Sequence, residues 1–249
     1  MIVELPVLLA LVGVAIVAGL VDSVAGGGGL LTVPALLAAG LPPTTALATN
    51  KAQSTAGAFT AAVTYTRGGA VRPRELWPPI LTTLLGAATG TLVLTSIDAS
   101  RLEAALPWLL LVIAGYVAAK PQLGRVETAA RIAPRTYTLT VAPLIGAYDG
   151  FLGPGTGSFF ALTLVGLRGH DLTRATATTK VLNLTSNLTA LVVFALAGAP
   201  AWLLGLSMAV GQAIGARLGA GLVLTRGAGL VRPALVVVSV ALSIRLLLT

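Results

Sequence analysis

Ten apolar stretches follow one another along this chain with only short polar breaks, and that succession leaves few folds open. They run over 5–25, 29–40, 46–66, 76–96, 102–119, 136–152, 157–167, 175–197, 200–221 and 232–248. A helix that crosses a bilayer needs roughly 20 such residues. Only 10% of the 249 residues are charged, against about 25% in soluble domains. A water-soluble fold of this size cannot hide that much apolar surface. The expected fold is all-α and membrane-integral, with about 8 full transmembrane helices. Stretches 29–40 and 157–167 are too short to span, and each follows a glycine-rich break, so they read as re-entrant or discontinuous segments. The N-terminal stretch contains Glu4 and lacks a basic leader, which favours a retained first helix over a cleaved signal peptide.

The chain repeats itself. Gly19-Leu20-Val21-Asp22 before Gly26–Gly29 parallels Gly146-Ala147-Tyr148-Asp149 before Gly153-Pro154-Gly155-Thr156-Gly157. Ala46–Lys51 parallels Ala175–Lys180, and Trp77, Gly86 and Gly90 parallel Trp202, Gly211 and Gly215. Three matches in one order indicate duplication. Residues 1–120 form the first membrane repeat, 121–135 a basic cytoplasmic linker, and 136–249 the second repeat. The net charge of +8 is then a topology signal and not a nucleic-acid footprint. With five crossings per half, Arg67, Arg72, Arg74, Lys120, Arg125, Arg131, Arg135, Arg168, Arg174, Arg226 and Arg232 share one side. Only Arg101 and Arg245 face the other, a split of 11 to 2. The positive-inside rule therefore favours inverted repeats with both termini outside.

Chemistry-bearing residues are few. There is no cysteine and one histidine, His170, in a polar loop, so thiol chemistry is excluded and no metal site or cofactor is expected. Gly26, Gly27, Gly28 and Gly29 lack the Lys-Ser/Thr ending of a phosphate loop. They fit either close helix packing or a helix break whose free amides face an anion, and Gly153, Gly155, Thr156 and Gly157 repeat the pattern. Asp22 and Asp149 are carboxylates in apolar surroundings. They either carry a coupling proton or cation, or cap glycine amides and pair with a lysine. Lys51 and Lys180 are read as lying in the first two turns of their helices, where a cation opposes the dipole. A nearby aspartate or a bound anion must compensate them. Ser54 and Thr55 continue the first lysine's face, and Asn183 and Asn187 the second; Asn50, Thr179, Asn183 and Asn187 are expected to supply hydrogen bonds to an anion's oxygens. Gly86-x-x-x-Gly90 and Gly211-x-x-x-Gly215-x-x-x-Gly219 read as packing ridges. Trp77 and Trp202 read as interfacial anchors, and Arg217 as a snorkelling surface cation.

With Asp22 and its glycine run leading into Leu31-Thr32-Val33-Pro34-Ala35-Leu36-Leu37, the Ala-Thr-Asn-Lys stretch ending at Lys51, Asp149–Gly157, and Lys180-Val181-Leu182-Asn183, the chain resembles the sulfite exporter TauE/SafE family of bacterial membrane permeases. The resemblance implies eight spans and transport of sulfite, sulfonates, sulfoacetate or related organosulfur anions across the cytoplasmic membrane. The charge count adds two short crossings to those eight. The expected function is a secondary transporter of a small anion, possible coupling being to protons or cations. An anion channel shares every residue argument, and an intramembrane aspartyl enzyme built on Asp22 and Asp149 is the remote rival. The expected partners are the anion and the lipid bilayer, without nucleic acid. The sequence is compatible with a monomer or a homo-oligomer.

Overall fold

The computed structural model describes residues 4–119 and 128–228, and these residues are helical with no strand among them. Helices α1 (Leu5–Ala25), α2 (Gly29–Ala38), α3 (Pro43–Arg67), α4 (Trp77–Thr95) and α5 (Ala99–Ala119) make up the first half. The second half starts with α6 (Pro134–Thr136), which runs through a π turn at Tyr137–Val141 into α7 (Ala142–Phe151). Helices α8 (Thr156–Arg168), α9 (Leu172–Leu196) and α10 (Trp202–Arg226) follow. The apolar stretch 232–248, the linker portion 120–127, Arg232 and Arg245 lie outside the described residues.

Local chemistry sets the helix limits. Pro42-Pro43 opens α3 upstream of the apolar pattern, since proline suits the first helical position. Asp171 caps α9 by accepting from the Thr173 and Arg174 amides at 2.9 and 3.0 Å. Both helices thus begin three residues earlier than the apolar stretches suggested. Gly26 and Gly27, at φ 70° and 124°, end α1, and Gly153 and Gly155, at 96° and 85°, separate α7 from α8. Only glycine enters that region without strain.

Four helical segments among the described residues are long and apolar enough to cross a membrane: α1, α4 with its 3₁₀ lead-in (Pro73–Thr95), α9 and α10. Helices α2 and α8, of 10 and 13 residues, extend only about 15 and 20 Å. The surface confirms the solvent. Leu203, Trp108, Leu144 and Val112 are at least 70% exposed, while Lys51, Gln53, Asp149, Lys180 and Gln212 are at most 1% exposed. Leucines outside and ions inside describe a protein whose surroundings are lipid. Trp77 and Trp202 point outward at their helix starts, and Arg217 is exposed.

Helix packing crosses between the two halves of the chain. Helix α1 packs on α10 of the other half, and α4 packs on α7; likewise α3 packs on α10, and α4 on α9. Helices α3 and α9 pack on each other. The loop after α3 (Gly69–Arg72) and the start of α9 (Asp171–Arg174) line one cavity, so these two helices run in opposite directions. The described end of the linker meets the same region, where the Thr128 amide donates to Gly169 O at 2.8 Å.

The glycine ridges are the contact surfaces of the two cross-half pairs. A Cβ at Gly90 would lie 1.9 Å from Ala147 O, and one at Gly215 would lie 1.9 Å from Ile16 O. Backbones meet there with no room for a side chain. Gly90→Val and Gly215→Val are each expected to lower the midpoint of thermal aggregation in detergent, by an overpacking cost of about 1–3 kcal/mol or more. The two contacts are separate, so the double variant should show nearly the sum. Gly13→Ala, at an exposed glycine with nothing within 4 Å of the added carbon, should leave that midpoint unchanged or raise it.

Candidate functional site

Two breaks in helices, one per half, meet at the centre of the molecule. A Cβ on Gly26 would lie 2.3 Å from the Gly157 carbonyl carbon, so the breaks touch backbone to backbone. Ser158 Oγ ties them further by donating to Ala25 O and Gly26 O at 2.8 and 2.9 Å. The close approach of Gly26 to Gly157 fits the packing reading of the glycine runs.

Each lysine reaches across to the other half. Lys51 Nζ lies 2.7 Å from Asp149 Oδ1, with both side chains 1% exposed. It also donates to Asp149 O at 2.6 Å and to Asn187 Oδ1 at 3.1 Å. Lys180 Nζ lies 2.8 Å from Asp22 Oδ2; the lysine is fully buried and the carboxylate 14% exposed. Buried charges persist only when paired and hydrogen-bonded, and these pairs satisfy that rule by joining the halves. The lysines are the ninth residues of α3 and α9, hence in the third turn, where the dipole effect has faded. The earlier helix starts thus place both lysines one turn deeper than the first two turns expected from the sequence. The compensating aspartate is present, but it comes from the other half of the chain.

The carboxylates have unlike surroundings. Asp22 Oδ1 accepts from the amides of Gly27 and Gly28 at 3.1 and 3.2 Å. Those two amides are therefore occupied by the protein itself, a correction to their expected role as anion donors. The Gly29 and Gly157 amides, in the first turns of α2 and α8, enter no backbone hydrogen bond among the described residues. Asp149 is enclosed by side chains: Thr156 Oγ1 donates to Oδ1 at 3.0 Å, Asn183 Nδ2 to Oδ2 at 3.2 Å, and Ser186 Oγ to Oδ2.

Asn50, 3% exposed, is the other anchor. Its Oδ1 accepts from Thr32 Oγ1, Gln53 Nε2 and Ser54 Oγ at 2.6, 3.0 and 3.4 Å. Three donors fix the amide plane and leave Nδ2 without a protein acceptor among the described residues. That nitrogen faces the start of α2, where a Cβ on Gly29 would lie 3.6 Å from it. A cavity of about 10 Å³ lies between the breaks. Asp22, Gly27, Gly29, Asn50 and Ser54 wall it from one half, and Asp149, Gly153, Gly155, Thr156, Gly157, Asn183 and Asn187 from the other. That volume suits roughly one water molecule.

Of the expected positions, Asp22, Gly27, Gly29, Asn50, Asp149, Gly153, Gly155, Thr156, Gly157, Asn183 and Asn187 line the cavity. Lys51, Lys180, Gly26 and Gly28 stand behind that lining, against Asp149, Asp22, Gly157 and Asp22 respectively. Thr179 is buried, its hydroxyl has no partner among the described residues, and it does not line the cavity. Thr55 also turns away, donating to Lys51 O of its own helix at 2.8 Å. Sequence reasoning missed Ser186, Ser158 and Thr32. Ser186 was detectable, since it continues the stripe of Lys180, Asn183 and Asn187. Ser158 and Thr32 sit in short apolar helices, and only the meeting of the halves gives them partners. No group of His, Cys, Asp or Glu side chains that could hold a metal occurs among the described residues.

Lipid-facing leucines around cross-paired buried charges define a multi-pass membrane protein with a polar centre. The sequence profile of the sulfite exporter TauE/SafE family matches residues 11–246. The chain belongs to that family. Its relatives include a probable membrane transporter protein, ORF9, of a Sinorhizobium species, 47% identical over 233 residues that cover 94% of this chain and 89% of that protein. A probable membrane transporter protein of Haemophilus influenzae is 44% identical, with 91% of this chain and 89% of that protein covered. The probable membrane transporter protein YfcA of Escherichia coli K12 is 43% identical, with coverages of 94% and 87%. No solved structure matches the chain. The family and its relatives' names are those of membrane transporters rather than enzymes.

Proposed function

We propose that this protein is a secondary transporter that carries a small sulfur oxyanion, sulfite or a sulfonate, across the cytoplasmic membrane through the site between its halves. The observation that carries the proposal is the shared cavity: both helix breaks, Asn50, and the two aspartates that hold the cross-paired lysines line it. Asn50 Nδ2 and the Gly29 and Gly157 amides are hydrogen-bond donors suited to sulfur-bound oxygens. Asn183 and Asn187 hold Asp149 and Lys51 in place.

The halves act as inverted repeats, with eight full spans and the two short helices between them. The exchange of packing partners and the opposed directions of α3 and α9 support this arrangement. An anion of several heavy atoms does not fit a space of about 10 Å³, so loading requires the halves to move apart. That supports alternating access over an open pore.

Uptake into proteoliposomes tests the proposal, with sulfite, thiosulfate, sulfonates and carboxylates offered with and without a pH gradient. Saturable, counterflow-competent flux of sulfur oxyanions is expected. Absence of flux for every anion under every gradient would sink it, and single-channel conductance would turn it into a channel.

A further inference from the structure

The central cluster is electrically balanced: Lys51 and Lys180 against Asp22 and Asp149. Adding an anion to it leaves one uncompensated negative charge in a low-dielectric interior, which is costly. A proton arriving with the anion removes that cost. The two pairs differ in which could accept it.

Lys51 has three acceptors: Asp149 Oδ1, Asp149 O and Asn187 Oδ1. Neutralising Asp149 would leave this lysine two of them. Asp149 itself is sealed at 1% exposure beneath four side-chain donors. Lys180 has one acceptor among the described residues, Asp22 Oδ2, on a carboxylate 14% exposed. Neutralising Asp22 at Oδ2 would leave Lys180 Nζ with none, beside Gly157 at the cavity wall, where an added Cβ would sit 3.4 Å from that nitrogen. Oδ1 would keep both glycine amides, so the break would hold its shape.

Other charged or titratable groups near Asp22 are few among the described residues. Helix α3 brings Lys51, held by Asp149, and Tyr65, whose hydroxyl donates to Ser23 O at 2.8 Å. Helix α7 brings Asp149, across the cavity. Helix α9 brings Lys180, with Arg174 six residues back towards its start. Arg168 closes the far end of α8 by donating to Ile132 O, Arg217 and Arg226 of α10 are exposed, and α2 has no charged residue.

Building on the transport reading above, we infer that Asp22 carries the coupling proton and that its protonation hands Lys180 to the anion. A proton from water binds Oδ2 and the Lys180–Asp22 pair opens. Lys180 stays an ammonium and donates to the incoming anion. Cluster charge goes from 0 to +1 and back to 0, so each singly charged anion moves with one proton and the cycle is electroneutral. Release reverses both steps.

The test uses the full-length protein in proteoliposomes loaded with a pH-sensitive dye and given external methanesulfonate, which stays ionised and brings no proton of its own. Wild-type uptake should acidify the lumen in proportion to the anion taken up. An imposed membrane potential should leave the rate unchanged. Asp22→Asn should lose the acidification and the dependence of uptake on pH. Uptake by wild type without acidification, or persistence of acidification in Asp22→Asn, would overturn the assignment. If Asp22→Asn fails to assemble, Asp22→Glu replaces it. A shifted pH for half-maximal uptake supports Asp22, and an unshifted profile overturns its role. No methanesulfonate uptake by wild type under any gradient would count against the transport reading itself.

Discussion

Asp149→Asn should destabilise the protein by about 3–5 kcal/mol, the cost of leaving a buried charge without its partner. Lys51 would keep only neutral acceptors, in a place where it is 1% exposed. Thr156, Asn183 and Ser186 would each face an amide where they now donate to a carboxylate. The measurement is the midpoint of thermal aggregation in detergent, followed by size exclusion, together with anion uptake after reconstitution. Both should fall, the midpoint by more than in Asp22→Asn, whose carboxylate is partly exposed and holds fewer side-chain partners. The double variant Lys51→Met/Asp149→Leu separates folding from function. Replacing a buried ion pair by apolar groups is often neutral or stabilising, so its midpoint should recover towards wild type while uptake stays lost. Recovery of uptake along with the midpoint would mean that this pair serves only the fold.

Gly26→Ala should be nearly as damaging. Its φ of 70° strains any residue with a side chain, at about 1–3 kcal/mol. The added carbon would also sit 2.3 Å from the Gly157 carbonyl carbon, forcing the two breaks apart. Because Ser158 bonds both Ala25 and Gly26, that separation would also break the tie between the halves. A lower thermal midpoint and lost uptake are expected. A Gly26→Ala protein with wild-type midpoint and flux would show that the breaks do not need to touch.

The elements were legible because apolar stretches and glycine breaks mark helix limits in lipid. The ends of α1, α2 and α5 fall within two or three residues of the apolar pattern. Helices α3 and α9 start earlier because Pro43 and Asp171 act through local backbone chemistry that hydropathy does not register. Asp22, Lys51, Asp149 and Lys180 stood out because charge is rare in such segments. Their pairing was open on sequence, since each residue has a candidate partner in its own half. It is decided by the meeting of the breaks, which sends each lysine to the other half. The same long-range geometry explains why Ser158 of the second half bonds Ala25 and Gly26 of the first.

Counterflow of labelled sulfite in proteoliposomes, comparing wild type with Lys51→Ala/Lys180→Ala, tests the transport site most directly. Wild type should accumulate label transiently and saturably against preloaded sulfite. The double variant, shown by size exclusion to be folded, should accumulate none. Unchanged counterflow in the folded double variant would contradict the site between the halves.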